Sequence, residues 1–329
     1  MYLSTYQLSK KKERLFLLSL FTISIIIRIP VVLITGDTSL ENEWEILVNN
    51  LINHKILAYN YYDANLDEFL FPSIYMPPLY AYYLYIFSFF NLESQNFVLL
   101  ILFSQIALAS ISVGVFYKIN KLFFSQKISF YSSLLFSLFP IYLFACSQIS
   151  SVSLTIFLAL FFYYYFFKLT NNNKFTYIFL FAVIGGLLIL LRREFVIIVI
   201  LSSFYLFFYF KISIKNVLLV FLISLITISP YLVRNYMIFE KIIIHSSFGF
   251  NLWKGNNQNS KVEGSFIIEK SLQNKIDKIP KNKFYRINED KIYMDEAIMN
   301  IKNNPKKYVV LYIKKTASFF FLDIQSSYP

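Results

Sequence analysis

Cysteine is nearly absent: the 329 residues include one, Cys146. A single thiol excludes an internal disulfide and any metal cage built from several thiolates. It lies in an apolar run, where buried packing is its expected role. No segment of 20–50 residues recurs, which excludes solenoids and propellers. The alternating segments of about ten residues that mark a transmembrane β-barrel are also missing. Charge is sparse, at 15% of residues, and acids are outnumbered 19 to 31, giving a formal charge of +12. In a soluble chain that excess would point to nucleic acid. Here it fits loop lysines and a basic segment facing anionic headgroups, so no nucleic-acid partner is expected. The start resembles a signal peptide, but no small-residue cleavage site follows and the apolar stretch is long. We read it as an uncleaved first span.

What the chain has in quantity is apolar sequence, 57% hydrophobic and 20% aromatic. Runs of about 18 or more apolar residues recur, each long enough to cross about 30 Å of hydrocarbon. The expected class is an all-α polytopic membrane protein. Residues 1–14 carry Lys10, Lys11, Lys12 and Arg14 and are expected in the cytoplasm. The first span is read at 15–35, ended by Gly36. Residues 36–94 form an outer acidic loop, 95–233 a membrane bundle, and 234–329 an outer loop with an amphipathic C-terminal helix.

Apolar segments lie near 79–91, 95–117, 127–146, 150–168, 174–191, 193–210 and 215–233. Charge decides whether the first of these spans. If it does not, Lys118, Lys121, Lys127, Lys168, Lys174, Lys211 and Lys215 are all cytoplasmic, as the positive-inside rule demands. We therefore read 79–91 as a half-inserted helix, count about seven spans, and place everything after Tyr231 outside. Beyond Arg234 the composition turns polar, and the segment is expected to be too short and polar for a large core. Asp295, Glu296 and Ala297 are expected to open a helix and Pro305 to restart another. Lys314 and Lys315 interrupt the last apolar run, which reads as a surface helix. The chain stops at Pro329 with no closing element, as a fragment or a minimal form would.

Several stretches could carry chemistry. Trp44, Leu47, Val48 and Leu51 recur at helical spacing, so 40–53 reads as an amphipathic helix bearing Glu41, Glu43 and Glu45. A carboxylate there could serve as general base; the plainer reading is a solvated helix face. Asp37, Thr38 and Ser39 are expected as helix caps and His54 as a helix end. Asp63, Asp67 and Glu68 could join Glu43 around a divalent ion, but their spacing fits no fixed motif, and no metal or cofactor is assigned. Pro77-Pro78-Leu79-Tyr80 is a helix start. Arg192 and Arg193 interrupt two apolar runs and could bind a lipid phosphate bidentately, or form a short loop in which Glu194 pairs one of them. Arg234 and Asn235 follow a span directly. Gly249, Gly255, Asn256 and Asn257 imply a tight backbone held by side-chain hydrogen bonds around Trp253, which could instead be an interfacial anchor. His245 is expected to be structural.

Four stretches in this order resemble one family. They are ENEWEILVNNLI after the first span, PPLY opening a short apolar helix, GGLLILLRREF, and PYLVRNYMIF…GFNLWKGNN followed by AIMNIKNNPKKYVVLYIKK. Together they resemble the polyprenyl-phosphate-sugar-dependent glycosyltransferases of the GT-C fold, in the family 39 branch. That branch holds the dolichyl-phosphate-mannose protein mannosyltransferases and the bacterial aminoarabinose transferase acting on lipid A. The resemblance implies a seven-span core, an outer-face cavity and a polyprenyl-phosphate sugar as donor. It implies a first-loop carboxylate as base, Glu43 or Glu41 here, where the family usually has Asp. It implies phosphate contacts from Arg234 and Arg192. Arg193, Tyr80, Asn235, Asn251, Trp253 and Asn256 complete the candidate substrate-binding set. A second acidic residue that the family often carries is replaced by serines in SQISSVSLT. The expected activity is inverting sugar transfer to a glycolipid, polysaccharide or protein at the non-cytoplasmic face. Composition rich in Ile, Lys, Asn and Phe suggests an AT-rich bacterial genome, and the expected location is a bacterial inner membrane with the site on its non-cytoplasmic side. The alternatives are a lipid-linked saccharide transporter or flippase, and an inactive truncated homologue that binds lipid or a partner.

Overall fold

The computed structural model describes residues 10–63 and 66–321. Its first helix, α1 (Lys10–Thr35), ends just before Gly36, where the apolar run stops. After a short turn comes α2 (Asn42–His54), closed by Lys55 in a left-handed conformation. Strands β1 (Ala58–Asp63) and β2 (Leu66–Pro72) pair as a two-stranded sheet in a stretch that sequence patterning left unassigned. Helix α3 (Pro78–Phe87) starts at the second proline, where a missing N–H costs nothing. At ten residues it is too short to cross a bilayer.

The long apolar run follows as α4 (Ser94–Asn120), α5 (Gln126–Leu138), α6 (Pro140–Ala145), α7 (Val152–Asn171), α8 (Phe175–Leu191), α9 (Phe195–Phe208) and α10 (Ile214–Phe239). Among the described residues, four stretches are long and apolar enough to cross a membrane: Lys12–Thr35, α4, α7 and α10. The others are shorter: α8 has 17 residues and α9 has 14. The expected segment at 127–146 is broken, because Pro140 interrupts it and restarts the chain as α6. The polar remainder forms α11 (Phe248–Asn256), α12 (Lys270–Asp277), α13 (Tyr285–Asn303) and α14 (Pro305–Phe321). Asp295, Glu296 and Ala297 lie in the middle of α13 rather than opening a helix, because the helical pattern begins ten residues earlier at Tyr285.

The chain forms two compact units, residues 1–59 with 77–231, and residues 60–76 with 232–329. In the first, α4 lies against α1 and α7, and α7 packs on α8. Gly186 permits a close crossing with α10, since a Cβ there would sit 2.6 Å from Thr227 Cβ. In the second, α11 packs along α13. Trp253, Leu272, Ile276, Ile279, Tyr285, Tyr293 and Ala297 form its core. The core is small, as expected of a short polar segment, and aromatic side chains supply much of its apolar surface. Gly249 is needed at that crossing, because a Cβ would fall 1.8 Å from Asp290 O.

Candidate functional site

In the first unit, polar contacts converge on the loop from Ser147 to Ser151, between α6 and α7. Asp37 N–H donates to Ser147 O at 3.0 Å, and Ile149 N–H donates to Asp37 Oδ2 at 2.5 Å. Gln148 Nε2 reaches Thr35 O at 3.0 Å, while Gln105 Nε2 donates to Gln148 O at 3.0 Å. Tyr80 OH donates to Gln105 Oε1 at 3.2 Å, and the Trp44 ring meets Tyr80 edge-on at 4.8 Å. At the far end of the loop, Arg192 Nη2 lies 3.5 Å from Ser151 Oγ, a long contact. A run of serines and an amide, poor in helix formers, leaves a backbone N–H for the acid and a side-chain hydroxyl within reach of the guanidinium.

Asp37 is therefore not a helix cap, as sequence had it. The cap position of α2 belongs to Glu41, whose backbone is extended, and Ser39 Oγ donates to Glu41 Oε1 at 3.0 Å. Partial burial pushes the Asp37 carboxyl above the usual carboxylate range; the Ile149 N–H opposes this and the nearby Glu41 charge adds to it. Glu41 is exposed and Glu43 half-buried. Tyr80 is 1% exposed, so it serves the site's floor rather than its surface. Arg192 is exposed and Arg193 half-buried. The side chains of Asp63, Asp67 and Glu68 lie outside the described residues, so the divalent-ion grouping with Glu43 is not examined by the geometry.

In the second unit, Arg234 Nη1 donates to Ser73 O at 3.0 Å and to Asn235 Oδ1 at 2.8 Å. Asn235 is wholly buried and donates to Ile243 O at 2.6 Å. Asn251 and Asn256 donate back to their own helix, at Ser247 O and Leu252 O. Trp253 is 2% exposed and stands in the core, not at an interface. The tight backbone expected near Gly255 is present: Asn257 accepts from Asn259 N–H, donates to Ser265 O, and its own N–H meets Ser260 Oγ. These bonds fit a scaffold. They leave Arg234 half-buried as the member of the set with a charge to offer.

Two clusters escaped the sequence reading. Arg286 donates to Glu289 Oε2 at 2.7 Å, with the Tyr75 ring 5.6 Å and the Tyr285 ring 5.7 Å from its guanidinium carbon. Burial, then the Glu289 charge, pushes the Tyr285 and Tyr293 hydroxyls up to about 12. The i,i+3 spacing of Arg286 and Glu289 was a usable signal. The other cluster surrounds Arg28 in α1, which is 1% exposed. Its Nη1 donates to Ser24 O at 3.2 Å, Ser24 Oγ at 2.5 Å and Ser137 Oγ at 3.1 Å. It borders a cavity of about 10 Å³, shared with Ser112, Tyr142 and Ser153, with room for the centre of one water-sized particle. A lone arginine inside an apolar span is a functional signal by default, and it was readable at residue 28.

No protein-family model matches the chain, and no curated protein matches it.

Proposed function

We propose that the chain is a membrane glycosyltransferase that moves a sugar from a polyprenyl-phosphate donor to an acceptor hydroxyl or amine. One observation supports this above the others: Asp37 and Arg192 both reach the loop Ser147–Ser151, the acid through Ile149 N–H at 2.5 Å and the guanidinium through a long contact to Ser151 Oγ at 3.5 Å. Chemistry of this kind needs a base for the acceptor and a cation for the leaving phosphate. Asp37 takes the role that sequence offered to Glu43 or Glu41. Its carboxyl is anchored by a backbone N–H and its raised proton affinity makes it a better base than an ordinary aspartate. Arg192, aided by Arg193, faces the donor phosphate. Asp37 takes the acceptor proton, the acceptor oxygen or nitrogen bonds to the anomeric carbon, and the bond from that carbon to the phosphate oxygen breaks. Polyprenyl phosphate leaves with the electron pair, and a single displacement inverts the sugar. The seven-span GT-C arrangement, the outer-face site and the bacterial inner membrane belong to this reading.

The test is transfer from a short-chain polyprenyl-phosphate sugar by the protein in liposomes. Asp37→Asn keeps the Ile149 hydrogen bond but cannot take a proton; loss of transfer is expected with donor binding retained. Full transfer by both Asp37→Asn and Arg192→Gln rejects the assignment.

A flippase for lipid-linked saccharides is the second reading, and Arg28 is the observation that favours it. Charges inside spans mark transport paths more often than loop chemistry does. Movement of a labelled lipid-linked saccharide across the bilayer without sugar transfer, abolished by Arg28→Met, would select that reading.

A further inference from the structure

One face of α14 forms a basic cleft. Its cations are Lys306, Lys307 and Lys314, joined by Lys261 from the turn before α12. The cleft measures about 500 Å³, inside the range of about 300–1,000 Å³ typical of ligand sites. No carboxylate lines it. Lys261, Lys306 and Lys314 are exposed, and none of them pairs with an acid among the described residues. Lys307 Nζ donates to Gln258 O at 2.7 Å, a bond that fixes the ammonium without neutralising it.

The start of the helix adds to this charge. The first turn of α14 has two lysines and no acid, the reverse of what the helix dipole favours. Like charges gathered at the positive end of a helix raise the energy of the free protein and fall in cost when an anion arrives. The cleft is not polar throughout: Val262, Val310 and Leu311 form its walls. Beside it runs an uncovered apolar stripe, with Val309 58%, Tyr312 72%, Ile313 61% and Phe320 69% exposed. At 100° per residue, Lys306 and Ile313 are neighbours around the helix, so cleft and stripe share an edge. The opposite side is anchored, with Tyr308 buried and Lys315 Nζ donating to Gly255 O at 2.7 Å.

We infer that this cleft binds the phosphate headgroup of an anionic glycerophospholipid whose acyl chains lie along the apolar stripe of α14. Lysines supply the point charges that a phosphodiester attracts, and the stripe supplies the surface its chains cover. A soluble phosphate ester would use the lysines but leave the stripe bare. The inference does not depend on sugar transfer.

The experiment is thermal unfolding of the full chain in neutral detergent, with phosphatidylglycerol, phosphatidylcholine or inorganic phosphate added at fixed ionic strength. Phosphatidylglycerol is expected to raise the midpoint saturably, by about 5 °C. Phosphatidylcholine and inorganic phosphate are expected to leave it unmoved. Lys261→Gln with Lys314→Gln should abolish most of the response, and Lys261→Arg with Lys314→Arg should keep it. An equal response to phosphatidylcholine, a full response to inorganic phosphate, or an undiminished response in the glutamine double variant overturns the inference. Should that double variant not fold, the two single glutamine variants at these exposed positions are read in the same way.

Discussion

Arg28 and Arg286 are both arginines in packed surroundings, one in each compact unit, and their charge is handled differently. Arg28 meets serine hydroxyls and a backbone carbonyl, with Nε donating to nothing among the described residues. Arg286 meets a carboxylate at 2.7 Å and two tyrosine rings. In the first unit, side chains must bring the polarity that lipid cannot, and serines supply it while keeping helices close. In the second, acids are affordable because water reaches the edges, so ion pairs and aromatic faces carry the load. The cation in the first unit is thus met by hydrogen bonds without a carboxylate, and the one in the second by a carboxylate.

The comparison breaks most visibly at Asp37. Asp37→Asn is expected to lower transfer at least about 100-fold, the range for loss of a general base. In the unchanged protein, transfer should fall as pH drops through the raised Asp37 value, since only the ionised carboxylate accepts a proton. An acid limb no higher than that of an ordinary aspartate would separate Asp37 from the base.

Glycines sharpen it next. Gly249→Ala should destabilise the second unit by about 1–3 kcal/mol through overpacking against Asp290. Gly114→Ala in α4 meets only Leu17, at 3.7 Å, and should stabilise the helix by about 0.5–1 kcal/mol. In a Trp44→Phe background, Trp253 fluorescence follows the second unit, and thermal unfolding by circular dichroism follows the whole. Equal effects at the two positions would erase the distinction between a forced contact and a spare one.

The arginines come third. Arg286→Met leaves Glu289, whose side chain is 15% exposed, with only a long bond from Tyr285 OH at 3.4 Å, and should cost about 1–2 kcal/mol. Arg28→Met removes a buried charge that has no acid to strand, and should be neutral or stabilising by about 1 kcal/mol. Chemical unfolding of both variants checks the order.

The smallest effect is alkaline. Tyr285 and Tyr293 titrate at about 12 in the folded chain, against about 10 for a free tyrosine. Folded values above unfolded ones mean that the stabilisation is complete below pH 10 and is lost as pH rises toward 12. Tyr293→Phe should blunt that loss, read by tyrosinate absorbance alongside Trp253 fluorescence.

Much of the architecture was legible in order of residues alone. Length and apolarity place α1, α4, α7 and α10, and the prolines at 78 and 305 start helices where expected. The change of composition beyond Arg234 falls within three residues of the division between the compact units, at Tyr231 and Leu232. Heptad-like spacing of Trp44, Leu47, Val48 and Leu51 announces α2, and all but Trp44 are buried. The site was less legible. Glu41 and Glu43 stood out because acids beside an apolar span stand out, yet neither is held as Asp37 is. The partner that holds Asp37 is the N–H of Ile149, which is 112 residues away and which no local pattern can announce.

Periodicity and transfer free energy act over a few turns, so the chain's order alone determined which segments are apolar helices, where most of them begin, and that the protein suits a bilayer. Pairings across long separations depend on how helices pack, and packing is decided by all of the side chains at once. The tertiary structure alone therefore decided that Asp37 and Arg192 share a loop, that Trp253 is core, that Arg28 is enclosed by serines, and that four lysines border one cleft.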